Sequence, residues 1–278
     1  MQFHSSIESP AEFDSKLEYP DGRDPSQNAW LTITIRYYLN FVDDYNEKAG
    51  ITVEKDGKSF AMDSDKRELF PILKWDATST ARFRNDFQRG ENIWNYRFVL
   101  IAPRDFSALD YESFSGPGWV VRPNVICLFR VAPSLVKPHL RIDVVRLDPS
   151  INWKRFRSSE TLYDNMDLYC PTLGHELGHA LGMGHIKELL GDAVCIADAK
   201  KGIFPGRCYG ETEVEKANIM GGGTQLLPLN AKPWLDRIAS QTADTRGLNT
   251  RWTATLDTNT PPPRIPLGVA LVGKPSQF

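Results

Sequence analysis

No stretch of the chain approaches the ~20 consecutive apolar residues of a membrane-spanning helix. No basic run interleaved with aromatics is present, so nothing marks a nucleic-acid surface. Net charge is scarce too. With 33 basic and 35 acidic residues the balance is -2, which argues against a polyanionic partner. Internal repeats are lacking, and so is a secretory signal: Met1-Gln-Phe-His-Ser-Ser-Ile-Glu8 has neither a basic start nor an apolar core. Three routes stay open: a signal already removed, a cytosolic location, or export without such a signal. The expectation is a secreted or extracellular protein. What is present is ordinary for a soluble globular protein, with 41% hydrophobic and 24% charged residues in 278. That length suits one large domain or two small ones.

Histidine is also scarce, at five residues, and this makes its distribution informative. Three of the five fall in Thr172–His185. His175 and His179 are four apart, which on a helix places both imidazoles on one face, one turn apart, able to share one metal ion. Leu173, Leu177, Ala180 and Leu181 cluster on the opposite face at about 100° per residue. Glu176 lies beside the histidine face, close enough to hold a metal-bound water without being a ligand. Gly182 can take the left-handed conformation that ends a helix and turns the chain, which lets His185 return to the same ion. Three histidines leave one tetrahedral position open, as a catalytic zinc requires. Gly174, Gly178 and Gly182 form a further stripe. Glycine inside a helix costs roughly 1 kcal/mol against alanine, so the stripe predicts a segment packed tightly on that flank.

His175-Glu-x-x-His179-x-x-Gly182-x-x-His185 resembles the extended zinc motif of the metzincin metalloproteases. Met220, in Asn218-Ile-Met220-Gly221, resembles that family's methionine turn beneath the metal. Ile186 and Gly222 match no familiar branch of the family, so the resemblance stops at the family. It implies an α+β, metzincin-like zincin. Its parts would be a twisted mixed β-sheet, a long backing helix, an active-site helix, and a smaller irregular C-terminal subdomain with a helix. It further implies a zinc-dependent endopeptidase with one catalytic Zn2+ on His175, His179 and His185. A metal-activated water would attack the peptide bond, with Glu176 as general base. The partner is then a protein or peptide substrate. Leu226 and Leu227, after the methionine turn, are candidates for the wall of an apolar substrate pocket. Tyr209 and Tyr163 are oxyanion-donor candidates by nearness in sequence alone. Two alternatives stay open: a zinc hydrolase of a non-protein amide such as a cell-wall peptide, and a non-catalytic zinc-stabilised binding module.

The rest of the chain divides into an N-terminal arm (1–28), a catalytic subdomain (29–182), a C-terminal subdomain with the methionine turn (183–245) and a Pro-rich tail (246–278). The arm is polar, with Pro10, Pro20 and Pro25. Residues 30–42 alternate with Leu31, Ile33, Ile35, Tyr37, Leu39 and Phe41 on one face, which predicts a half-buried strand. Asp56-Gly57 predicts a hairpin turn. Asp76 is a candidate N-cap for a helix to Tyr96 whose buried stripe holds Phe83, Phe87 and Trp94. Short strands are expected at 98–102 and 120–131. Leu140–Leu147 alternates, and reads equally as an ordinary sheet strand or as the antiparallel edge strand that borders the cleft in the resembled family. Trp153, Lys154, Arg155 and Arg157 fall in a surface connection. Asn230 is expected to cap a short helix holding Trp234, Leu235 and Ile238, and Gly221-Gly-Gly223 to be flexible. Four cysteines allow two disulfides. Cys195 and Cys208 would pin the loop below the cleft, whereas Cys127 and Cys170 suit buried thiols as well as a bridge.

Overall fold

The computed structural model describes residues 4–7, 13–18, 28–43, 52–63, 68–103, 110–112, 120–151, 161–165, 170–242, 252–256 and 270–273. The basic cluster at 153–157 and the prolines of both termini lie outside them. The architecture is α+β around a twisted mixed sheet. No helix among the described residues is long and apolar enough to cross a membrane.

Strand β1 (His4–Ile7) pairs antiparallel with β2 (Asp14–Glu18), and β2 with the first half of β3 (Ala29–Val42). The described residues of the arm are therefore largely sheet. Its signal is short: Phe13, Ser15 and Leu17 point inward, Leu17 lies opposite Leu31, and only two of the three are apolar. In β3 the predicted alternation holds from Leu31 to Leu39, every second residue being buried. A hairpin of β4 (Thr52–Lys55) and β5 (Lys58–Asp63) closes on Asp56 and Gly57, both left-handed, with φ of 53° and 71°. Primed turns of this kind match the twist of the strands they join. Strand β6 (Glu68–Pro71) completes that small sheet.

Helix α1 (Ala77–Trp94) starts where predicted: the Asp76 carboxylate accepts the Ser79 backbone N–H at 2.7 Å. Phe83 and Phe87 are buried, and Phe87 packs on Tyr37 at 4.8 Å. Strands β7 (Phe98–Ile101), β8 (Tyr111–Glu112), β9 (Val120–Arg122) and β10 (Val125–Pro133) follow, then β11 (Leu140–Arg146) and β12 (Thr161–Asp164). The remaining strands are β13 (Thr253–Leu256) and β14 (Ala270–Gly273). The main sheet runs β1-β2-β3-β10-β7-β13, with β11 on β3 and β12 on β11.

Strand β11 corrects one expectation. It runs parallel to β3 on one side and to β12 on the other. Over residues 143–145 both backbone edges are taken, so this half of the strand is interior to the sheet and has no free ladder to offer a peptide.

The chain folds as two compact units that do not follow chain order. Residues 1–34, 94–130 and 183–278 form one, and residues 35–93 and 131–182 the other. One break between the units falls at 182–183, and β2 and β13 both pair with strands of the first unit. The first unit is centred on Trp234 of α6 (Lys232–Thr242). This side chain is fully buried, donates to the Leu128 carbonyl at 2.9 Å, and packs on Phe98 and Phe129.

In the second unit, α1 meets α2 (Cys170–Ala180) at a glycine contact. A Cβ on Gly174 would lie 2.5 Å from Ile93 Cδ1, and one on Gly90 would lie 3.1 Å from both Leu173 and Leu177. The predicted close approach is thus real at Gly174, and Gly90 completes it from the facing helix. Gly182 plays no part: nothing lies within 4 Å of its Cβ position, and its φ of +82° serves the turn.

Candidate metal centre

Helix α2 carries His175, Glu176 and His179. Pro171 sits in its first turn, where a missing N–H costs nothing. Leu173 and Leu177 bury the back of the helix, which turns the histidines outward. The ring nitrogens Nε2 of His175 and His179 stand 3.1 Å apart. The helix ends on a tightened last turn, Gly182 N–H donating to the His179 carbonyl at 2.9 Å. His185 is extended (φ -63°, ψ 165°) and caps the one-turn helix α3 (Ile186–Leu189).

The three histidines converge: one ligand atom from each lies within 4.8 Å of the others. His185 is 3% exposed and is held from three directions. Its backbone N–H donates to Glu188 Oε1 at 3.0 Å, and its Nδ1 lies 3.2 Å from that same oxygen. The Tyr209 ring packs on it at 4.0 Å and the Phe204 ring at 5.4 Å. A carboxylate oxygen accepts hydrogen bonds, so this contact suits a proton on Nδ1 and metal ligation through Nε2. Imidazole ligands are commonly oriented by such a carboxylate, which also makes them more basic. Ile186, which fits no branch of the resembled family, is fully buried core.

Glu176 is 8% exposed, and its Oε2 is buried without a hydrogen-bond partner. It is the one carboxylate oxygen among the described residues in that state. Burial pushes its pKa up from 4.5 to about 8, since a lone charge out of water is costly. A cation among the three imidazoles would oppose that shift.

These observations are the test of whether the residues suit a metal. The donors are three imidazoles, and the separation of the first two is close to the roughly 3.3 Å between ligands of a tetrahedral ion at ~2.0–2.1 Å. The Glu188 carboxylate beside the third histidine suits the tautomer that a ligand needs. The orphaned oxygen of Glu176 is a polar group that the protein leaves to be satisfied by something else. The three-histidine group can bind a metal ion.

Met220 is fully buried in a 3-10 turn, Ile219–Gly221, which packs against α3 and against the turn Gly206–Tyr209. Asn218 Oδ1 accepts the Met220 N–H at 2.9 Å, and Asn218 Nδ2 donates to Asn230 Oδ1 at 2.7 Å. Asn230 is therefore not the cap of α6. Its Oδ1 also accepts the Leu227 N–H at 2.8 Å, and both asparagines are fully buried. Gly221 and Gly223 are tightly packed, which reverses the expectation of flexibility at those two positions. A Cβ on Gly221 would lie 2.0 Å from the Glu215 carbonyl oxygen, and one on Gly223 2.2 Å from that of Ala217. Gly222 takes a left-handed φ of 95°.

The remaining candidates separate clearly. Cys195 and Cys208 form a disulfide, both buried. Cys127 is a buried free thiol whose pKa burial pushes well up. Leu226 and Leu227 are half-buried just after the methionine turn. Tyr163 belongs to an apolar cluster with Val42, Ala61, Val145 and Leu147, which makes it a core residue. Tyr209 stacks on a candidate ligand. Glu188 was not singled out from sequence. Its signal was available: it stands three residues after His185, the capping-box spacing that brings a glutamate back to the start of a helix. Searches of family models, of characterised proteins and of solved structures return no match to this chain.

Proposed function

We propose that this protein is a zinc-dependent endopeptidase of metzincin type. The observation that carries the reading is the three-histidine group beside the buried, partnerless Oε2 of Glu176. The donor set favours zinc, for which three imidazoles and an open fourth position are a catalytic arrangement. When bound, the ion supplies a Lewis acid and lowers the pKa of water toward neutrality.

The side chains supply the rest. Glu176 Oε2 accepts a proton from the attacking water and passes it to the leaving amide nitrogen. Its burial keeps bulk water from competing for that proton. Glu188 holds the His185 ring in one tautomer, and Asn218 with Asn230 holds the turn that carries Met220. The Cys195–Cys208 disulfide supports an oxidising, extracellular setting. A retired enzyme kept as a binding module would have no use for a desolvated carboxylate beside its metal ligands, which favours turnover.

Metal analysis combined with cleavage of an unfolded protein such as casein tests the reading. The wild type carries one zinc per chain, and a chelator blocks its cleavage. Glu176→Gln keeps the zinc and loses nearly all hydrolysis. Substantial activity in Glu176→Gln would remove the general base, and unchanged metal content in His185→Ala would remove that ligand. Casein left intact by a protein that hydrolyses small amides would favour the non-protein amide hydrolase.

A further inference from the structure

The segment between α3 and the methionine turn carries several exposed apolar side chains. Leu190, Val194, Ile203 and Phe204 are 54%, 51%, 52% and 52% exposed. Exposed apolar residues are ordinary when scattered singly, so the one that touches the site is the informative one.

Phe204 is the member tied to the site. Its ring lies 5.4 Å from that of His185, at an interplanar angle of 69°. His185 itself is 3% exposed. Phe204 thus reaches from a buried candidate ligand to solvent, with half its surface open.

The loop that presents it is built to stay in place. Ile203 N–H donates to the Asp198 carbonyl at 3.0 Å, and Gly202 N–H to the Ala199 carbonyl at 2.9 Å. Cys208 N–H donates to the Pro205 carbonyl at 2.9 Å. Arg207 pairs with Asp198 at 2.9 Å, and the Cys195–Cys208 bridge closes the loop at its base. Fixing a loop this way lowers the ordering cost when a partner covers it.

We propose that Phe204, with Ile203 beside it, forms an apolar subsite that takes a bulky apolar side chain of the substrate on the His185 side of the site. The inference rests on the endopeptidase reading and deepens it by naming part of the substrate chemistry. A flat aromatic face favours aromatic and branched aliphatic side chains, through buried area and offset or edge contacts. Acidic and small side chains gain nothing there. In the chain this subsite precedes the methionine turn, whereas the Leu226–Leu227 candidate wall follows it.

The test profiles a peptide library with wild type, Phe204→Ala and Phe204→Leu, each checked for zinc content and thermal stability. Wild type should favour Phe, Leu or Ile over Ala at one position near the cleaved bond. Phe204→Ala should lower that selectivity ratio in kcat/KM by about tenfold, the scale of a few methylenes of lost contact. Phe204→Leu should keep most of it. A second arm measures binding of an apolar peptide and its Ala-substituted partner to zinc-loaded Glu176→Gln, with and without Phe204→Ala. Unchanged selectivity in Phe204→Ala, or equal binding of the two peptides, would overturn the subsite. Phe204-dependent binding without wild-type hydrolysis would keep the subsite and overturn the endopeptidase reading. If Phe204→Ala loses zinc or fails to fold, Phe204→Leu and Ile203→Ala decide: a subsite requires Ile203→Ala to reduce the same ratio.

Discussion

Glu188 Oε1 receives both the backbone N–H and the Nδ1 side of His185, at 3.0 and 3.2 Å. One carboxylate oxygen thereby holds both the backbone and the ring of the third histidine. The arrangement depends on Gly184, where any Cβ would lie 2.5 Å from Glu188 Oε2 and 2.9 Å from its Cβ. The preference for glycine there is steric, as its side-chain space is occupied by the carboxylate.

Removing that carboxylate should loosen the metal. Glu188→Ala is expected to weaken zinc affinity by about 10–100-fold, read by competition with a chromogenic chelator. Glu188→Gln should lose less, because its amide oxygen can still accept both N–H groups. Wild-type affinity in Glu188→Ala would mean that Tyr209 and the chain turn alone hold His185.

The raised pKa of Glu176 predicts a pH-dependent stability in the metal-free protein. Its carboxyl titrates near 8 when folded, against an ordinary value of 4.5. Between those values the native state keeps a proton that the unfolded chain has released. Stability therefore falls as pH rises across that window, by a total on the order of 5 kcal/mol. Thermal melts of the chelated protein should show a lower Tm at pH 8 than at pH 5. Glu176→Gln should flatten the slope, and added zinc should raise the pH 8 value most. A metal-free melt with the same slope in Glu176→Gln would assign the pH dependence to another group.

The glycine contact between α1 and α2 gives a third expectation. Gly174→Ala gains roughly 1 kcal/mol of helix propensity, yet places its Cβ against Ile93. The clash should win, for a net loss of about 1–2 kcal/mol. Ile93→Val removes Cδ1, the nearest atom, so the double variant should recover part of the loss. Gly90→Ala should cost more, since its Cβ would also lie 3.3 Å from a backbone carbon of Leu173. Denaturant midpoints of the four variants measure these terms, and strict additivity of Gly174→Ala with Ile93→Val would contradict the contact.

Much of this protein is legible along the chain because the physics is local. Helical spacing alone places His175 and His179 together, and Gly182 ends α2 through its own conformational freedom. Residues 30–42 declare one buried face by strict alternation, and Asp76 and the Asp56-Gly57 turn act on their immediate neighbours. Tertiary structure decided whatever depends on partners distant in sequence. Strand β11 alternates as any strand would, and only its pairing with β3 and β12 makes it interior. Asn230 looks like a helix cap until Asn218 is set beside it. Gly221 and Gly223 look flexible until the carbonyls of Glu215 and Ala217 occupy the space their side chains would need. Phe204 is one aromatic of the chain among others until its ring is found on His185. Periodicity and capping are properties of adjacent residues; pairing, close approach and burial belong to residues that only the folded chain brings together.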